Sequence, residues 1–133
     1  MQVVIFKLND EQFAVETSKV QTIGESMTVT KVPKAPDYVK GLINIRGSVL
    51  SLLDINLLLD VEKSDDEQES TIILKLEDEL VGISVNQVDE VLDIDESILE
   101  KIDDSNKRMY VKGIINFKDR IVTLIDIDKL IRN

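Results

Sequence analysis

The sequence predicts an all-β, barrel-like protein assembled from two copies of one unit. Three observations predict it: two long blocks recur in the same order, the apolar runs are short and broken by polar turns, and helical signals are few. Val3–Ile23 (VVIFKLNDEQFAVETSKVQTI) aligns with Thr71–Val91 (TIILKLEDELVGISVNQVDEV), with 6 of 21 positions identical. Tyr38–Leu59 (YVKGLINIRGSVLSLLDINLLL) aligns with Tyr110–Ile131 (YVKGIINFKDRIVTLIDIDKLI), with 10 of 22 identical. Several other pairs exchange one aliphatic residue for another. Two copies argue for two similar barrels or half-sandwiches, because a solenoid needs three or more units. The copies span about 3–61 and 71–131, with 62–70 as the loop between them.

Each element follows from local chemistry. VVIFKL is rich in β-branched residues and meets the polar turn NDEQ, after which FAV resumes, so the chain opens with a hairpin. Val29–Val32 alternates apolar with polar residues and then meets Pro33, whose ring holds the preceding residue extended. Asp37–Lys40 reads as a helical turn. Leu42–Ile45 and Val49–Leu53 are strands around the short connection Arg46-Gly47-Ser48. Asp54 precedes a short helix in INLLL and is placed to cap it, its oxygen accepting from the orphan N–H groups of the first turn. Glu62–Ser70 (EKSDDEQES) has no apolar residue and reads as a solvated connector. TIILKL, EDE and LVGISV repeat the first hairpin. Glu96–Lys101 is a second turn, and Ile114–Phe117 and Ile121–Ile125 are strands around Lys118-Asp119-Arg120. Asp126 then caps a helix in DIDKLI. Gly41 and Gly113 both follow Tyr-Val-Lys, which points to a backbone angle other residues reach at a cost.

Composition removes whole classes of function. A chain of 133 residues suits one compact domain, or two very small subdomains sharing a core. Its net charge is −10, from 26 acidic and 16 basic residues, and the basic ones are scattered singly. A nucleic acid or an anionic membrane surface calls for a basic stripe, so neither is expected as a partner. No apolar run approaches the roughly 20 residues that span a bilayer, and the start has no signal-peptide pattern. These features and the absence of Cys fit the cytoplasm.

His is absent as well, which removes the commonest general base, the commonest metal ligand and the best nucleophile together. A Ser-His-Asp triad and the usual zinc sites are therefore impossible. The five glycines stand singly and form no phosphate loop. Asp93, Asp95 and Glu96, and separately Asp103 with Asp104, lack the spacing of a calcium loop and read as solvated turns. Asp54 and Asp126 recur at one place in both copies, which suits capping better than paired catalysis. The expectation is a protein with no catalytic activity, no metal and no cofactor.

Several segments also resemble a known family. VPKAPDYVKGLINIRG at Val32–Gly47 is similar to the hallmark of CheW-type domains, with its two prolines, Lys-Gly step and Asn-x-Arg-Gly turn. VLSLLDI at Val49–Ile55, GISVNQVDEVLDI at Gly82–Ile94 and VKGIINFKDRIVTLIDIDKLI at Val111–Ile131 resemble the segments that follow it, in order. The resemblance runs from Val3 to Ile131. It implies two small SH3-like five-stranded β-barrels about a shared hydrophobic core, with terminal segments open to exchange between them. It also implies a cytoplasmic adaptor that couples the cytoplasmic tips of chemoreceptors, the methyl-accepting chemotaxis proteins, to the regulatory domain of the histidine kinase CheA.

The resemblance also places the partner-binding residues. Arg46 occupies the arginine of the Asn-x-Arg-Gly turn, and Lys40 and Val20 fall on motif positions linked to partners. Thr22 stands where relatives usually carry Glu, so an Arg–Glu pair is missing, and Ser51 replaces a common proline. Ile23 completes the set, although Val20, Ile23 and Val91 read on their own as core residues. Two other readings accompany the coupling scaffold: a regulatory domain of a chemotaxis kinase or of a CheV-type adaptor, and a carboxylate-based hydrolase. Met1 at the start of the first strand and Asn133 just past the last element favour the single-domain scaffold.

Overall fold

A computed structural model describes residues 1–62, 68, 70–101 and 109–132. The first copy contributes β1 (Gln2–Leu8), β2 (Glu11–Glu16), β3 (Val20–Glu25), β4 (Val39–Ile45), β5 (Ser48–Leu53) and the helix α1 (Ile55–Leu59). The second contributes β6 (Ser70–Lys75), β7 (Leu80–Val85), β8 (Gln87–Asp93), β9 (Leu99–Glu100), β10 (Val111–Asn116), β11 (Ile121–Ile125) and α2 (Ile127–Arg132). The all-β class stands.

The strands form two sheets, ordered β8-β1-β2-β11-β10-β9 and β3-β6-β7-β5-β4. Each sheet combines the first hairpin of one copy with the later strands of the other. Four ladders join the copies: β11 on β2 and β5 on β7 are parallel, while β1 on β8 and β3 on β6 are antiparallel like every pairing within a copy. The sheets hold six and five strands where the sequence suggested five in each, and the sixth is the two-residue β9. Among the described residues no ladder joins β8 to β9 or β3 to β4, so both sheets have open edges.

The apolar runs of β1 and β6 do not alternate because both of their faces are buried, as in strands covered on two sides. Val4, Phe6 and Leu8 of β1 meet Ile72 and Leu74 of β6 in one core shared by the two sheets. On the other face of β1, Val3 and Ile5 enter a second cluster with Ile115, Val122 and Leu124. On the other face of β6, Ile73 enters a third with Ile43, Leu50 and Leu52.

Several local expectations change. β3 and β8 form where no strand was read, while Val29–Val32 contributes only a single bridge, Thr30 to Leu42. Asp37–Lys40 is a turn leading into β4 and not a helical turn. Both helix caps form: Asp54 Oδ1 accepts from Leu57 N at 3.2 Å, and Asp126 Oδ1 accepts from Lys129 N at 3.2 Å. The glycine expectation holds only in part. A Cβ on Gly41 (φ +155°) would meet the Thr30 carbonyl oxygen at 2.4 Å, whereas Gly113 is needed only for room, 2.7 Å from the Glu100 carbonyl oxygen. Most of the connector, residues 63–67 and 69, and the pair Asp103 and Asp104 lie outside the described residues. No described helix is long and apolar enough to cross a membrane.

Candidate partner-binding surface

The β4–β5 hairpin closes on two residues, since Ile45 pairs with Ser48 and only Arg46 and Gly47 lie between them. Both have positive φ, 50° and 85°, the signature of a type I′ turn whose twist matches the flanking strands. Asn44 Oδ1 accepts from Gly47 N at 3.1 Å and braces the bend. Arg46 is exposed at the tip, an arginine held where glycine or asparagine normally sits.

Thr22 lies beside this turn. β3 is an edge strand, Thr22 pairs with Ile73, and both line a shallow cavity of about 180 Å³ together with Arg46, Ile45 and Leu50. The structure thus brings Arg46 and Thr22 together. Ile23 follows on the same strand and is 39% exposed; Val91, its counterpart on β8, is 48% exposed. Reading these two as core is therefore corrected: edge strands have neighbours on one side only. Val20 does pack against the shared core and is half-buried.

Lys40 lies apart. It sits near the start of β4 while Arg46 follows its end, and the intervening strand, Gly41–Ile45, sets the two about 20 Å apart. Its ammonium donates to Gln68 Oε1, and Gln68 Nε2 donates to Oδ1 of buried Asn56 at 2.8 Å. A relay from α1 through the connector thus fixes Lys40. Its counterpart Lys112 instead pairs with Glu16 of β2 at 2.5 Å.

The second copy holds an Arg–Glu pair of its own, with the arginine two places beyond the counterpart of Arg46. Glu90 aligns with Thr22 and Arg120 with Ser48, and these two form an ion pair. The Arg120 guanidinium also lies 5.0 Å from the centroid of the Phe117 ring. The hydrogen bond to Glu90 raises the arginine pKa above its ordinary value. The second turn has another form: Phe117 N donates to the Arg120 carbonyl at 3.0 Å, and neither Lys118 nor Asp119 has positive φ. The sequence reading missed this pair, although the repeat alignment sets Glu90 opposite Thr22. It also missed Val49 and Ile121, matching residues just past the two turns, exposed by 62% and 64%.

One further charge contact ties the copies together, and another caps a turn within the second. Lys19, before β3, binds Asp128 of α2 at 2.7 Å, and that hydrogen bond raises the lysine pKa. The Ser97 backbone N–H holds Asp95 below the usual carboxylate range, at the cap of a single 3-10 turn. No cluster of metal-ligating side chains occurs among the described residues.

Comparison with known proteins gives a consistent answer. The CheW-like domain family matches residues 2–133. The chemotaxis protein CheW of Thermotoga maritima is 28% identical over 131 residues, covering 98% of this chain and 87% of the relative. The chemotaxis protein CheW of Klebsiella aerogenes is 29% identical over 132 residues, covering 96% of this chain and 80% of the relative. The crystal structure of scaffolding protein TtCheW from Thermoanaerobacter tengcongensis superposes with a TM-score of 0.88 at 24% identity, over 99% of this chain and 92% of that one. The two share a fold.

Proposed function

Because the chain belongs to the CheW-like domain family, we propose that it is a non-catalytic scaffold coupling the cytoplasmic tips of chemoreceptors to the regulatory domain of the histidine kinase CheA. The observation that carries this reading is the family match across residues 2–133. Relatives aligned over nearly the whole chain bear chemotaxis names, not enzyme names. The protein works in the cytoplasm, and its partners place it beneath the membrane. Arg46 on the β4–β5 turn and Thr22 on β3, which line one cavity, form the contact surface with Ile23 beside Thr22, while Lys40 and Val20 support it from further off.

The SH3-like barrel form belongs to the same reading. β3 and β4 are the two edges of the five-stranded sheet, and the Thr30–Leu42 bridge brings the segment after β3 back onto β4. That bridge supports closure of the sheet on itself around the Ile43, Leu52 and Ile73 cluster. The test of the function is size-exclusion chromatography with light scattering on three purified components: this chain, a receptor tip fragment and a CheA regulatory domain. One species containing all three is expected. If either partner always displaces the other, bridging is wrong.

A further inference from the structure

A cavity of about 340 Å³ opens where β4, β5 and β7 meet the end of α2, within the size range of sites that take an organic group. Leu53 and Val81, both buried, lie at its base with half-buried Val39 and Ile131, and the exposed Tyr38, Asp78 and Glu79 stand at its mouth. The duplication supplies a control for this cavity, because every residue around it has a counterpart in the other copy.

Tyr38, Val39, Asp78 and Glu79 have identical counterparts in Tyr110, Val111, Asp10 and Glu11. Leu53 and Ile131 are matched by their isomers Ile125 and Leu59. Only two positions change size, and both are smaller on the cavity side. Val81 stands for Phe13, and Ser51 for Thr123. These two are direct partners across a ladder: Ser51 pairs with Val81 in the β5–β7 join, as Thr123 pairs with Phe13 in the β11–β2 join. In the other sheet, Phe13 uses its ring to stack on Phe6, with centroids 6.1 Å apart. The cavity is thus lined by the two positions at which the five-stranded sheet holds less volume than its six-stranded twin, an isopropyl in place of a benzyl group and one methyl fewer.

We propose that this cavity docks a partner segment presenting a phenylalanine side chain beside a lysine or arginine. The phenyl supplies the volume that Phe13 supplies in the twin, and the neighbouring cation meets the carboxylates of Asp78 and Glu79 at the mouth. This surface is separate from the Arg46 turn and goes beyond the coupling reading.

The test uses the full chain, isotopically labelled, titrated by NMR with the acetylated tetrapeptide Ala-Phe-Lys-Ala amide. Saturable amide shifts at Val39, Ser51 and Val81 are expected. They should vanish when the peptide's Phe is replaced by Ala, and affinity should fall about 3-fold or more when its Lys becomes Glu. Val81→Phe, which rebuilds the twin's pairing, should abolish the shifts in a protein that melts no lower than the wild type. Absent shifts, shifts that survive Val81→Phe, or equal binding of the Ala peptide would each overturn the proposal. Should Val81→Phe fail to fold, Glu79→Lys decides: it must weaken the Lys peptide and favour the Glu peptide, and unchanged affinities refute the site. Neither result bears on the three-component chromatography, so the two readings stand or fall separately.

Discussion

An arginine at φ 50° costs roughly 1 kcal/mol of backbone strain that a glycine would not, because its Cβ crowds the carbonyl in the left-handed region. Strain kept at an exposed turn is a reason to suspect use. Arg46→Gly should therefore raise stability by up to about 1 kcal/mol, and Arg46→Ala should leave it nearly unchanged. Both should weaken binding to a receptor tip or a CheA regulatory domain by about 1–3 kcal/mol in calorimetric titrations. Lys118→Ala, in the second turn, should change neither quantity. Equal binding losses from Arg46→Ala and Lys118→Ala would show that the two turns contribute alike. The sequence exposed Arg46 because its turn stands out in one copy and not in the other. It hid the Glu90–Arg120 pair because that contact joins β8 to the β10–β11 turn, and only the folded sheet places those segments together.

Elements were legible where a run of aliphatics is buried on both faces, as in β1 and β6, and where an Asp precedes a helix, as at Asp54 and Asp126. They were not legible where a bulge breaks the alternation. β3 shifts register between Val20 and Thr22, so its apolar and polar residues lose the period of two that marks a half-buried strand. β8 has the corresponding shift opposite Ile5 and Phe6 of β1. The repeated glycines let β4 and β10 lie close against neighbouring backbone. The Gly41 Cα faces the backbone of Thr30 and that of Gly113 the backbone of Glu100, and a backbone cannot swing aside as a side chain can. Gly41→Ala and Gly113→Ala should each cost about 2–3 kcal/mol or more in urea denaturation, with Gly41 the larger because its φ is also unfavourable. Gly47→Ala has nothing within 4 Å of the added carbon and should cost only about 1 kcal/mol, from its angle alone. A Gly41→Ala protein as stable as Gly47→Ala would contradict this ordering.

At the scale of the whole molecule, the duplication was plain in the sequence, but the way the copies share strands was not. Repeat boundaries are written along the chain, whereas sheet membership is decided by which apolar faces meet. Here β1 and β2 leave their own copy to pair with β8 and β11, and β6 and β7 pair with β3 and β5. Neither repeat owns a complete sheet. That feature governs how the protein is made. As the chain leaves the ribosome, the opening hairpin has no partner until β8 emerges, and its other edge waits for β11, almost the last segment synthesised. The nascent chain must carry the exposed aliphatic rows of β1 and β2 through most of its synthesis, the interval in which unpaired edges aggregate. A fragment ending at residue 101 should accordingly show no amides protected at the global level in hydrogen exchange, and 1–61 alone should be unfolded. The full chain, dominated by pairings distant in sequence, should refold in milliseconds to seconds and not microseconds. A cooperatively folded 1–61 fragment would show that the first repeat builds its own sheet before the second arrives, and would leave the newborn chain no such exposed interval.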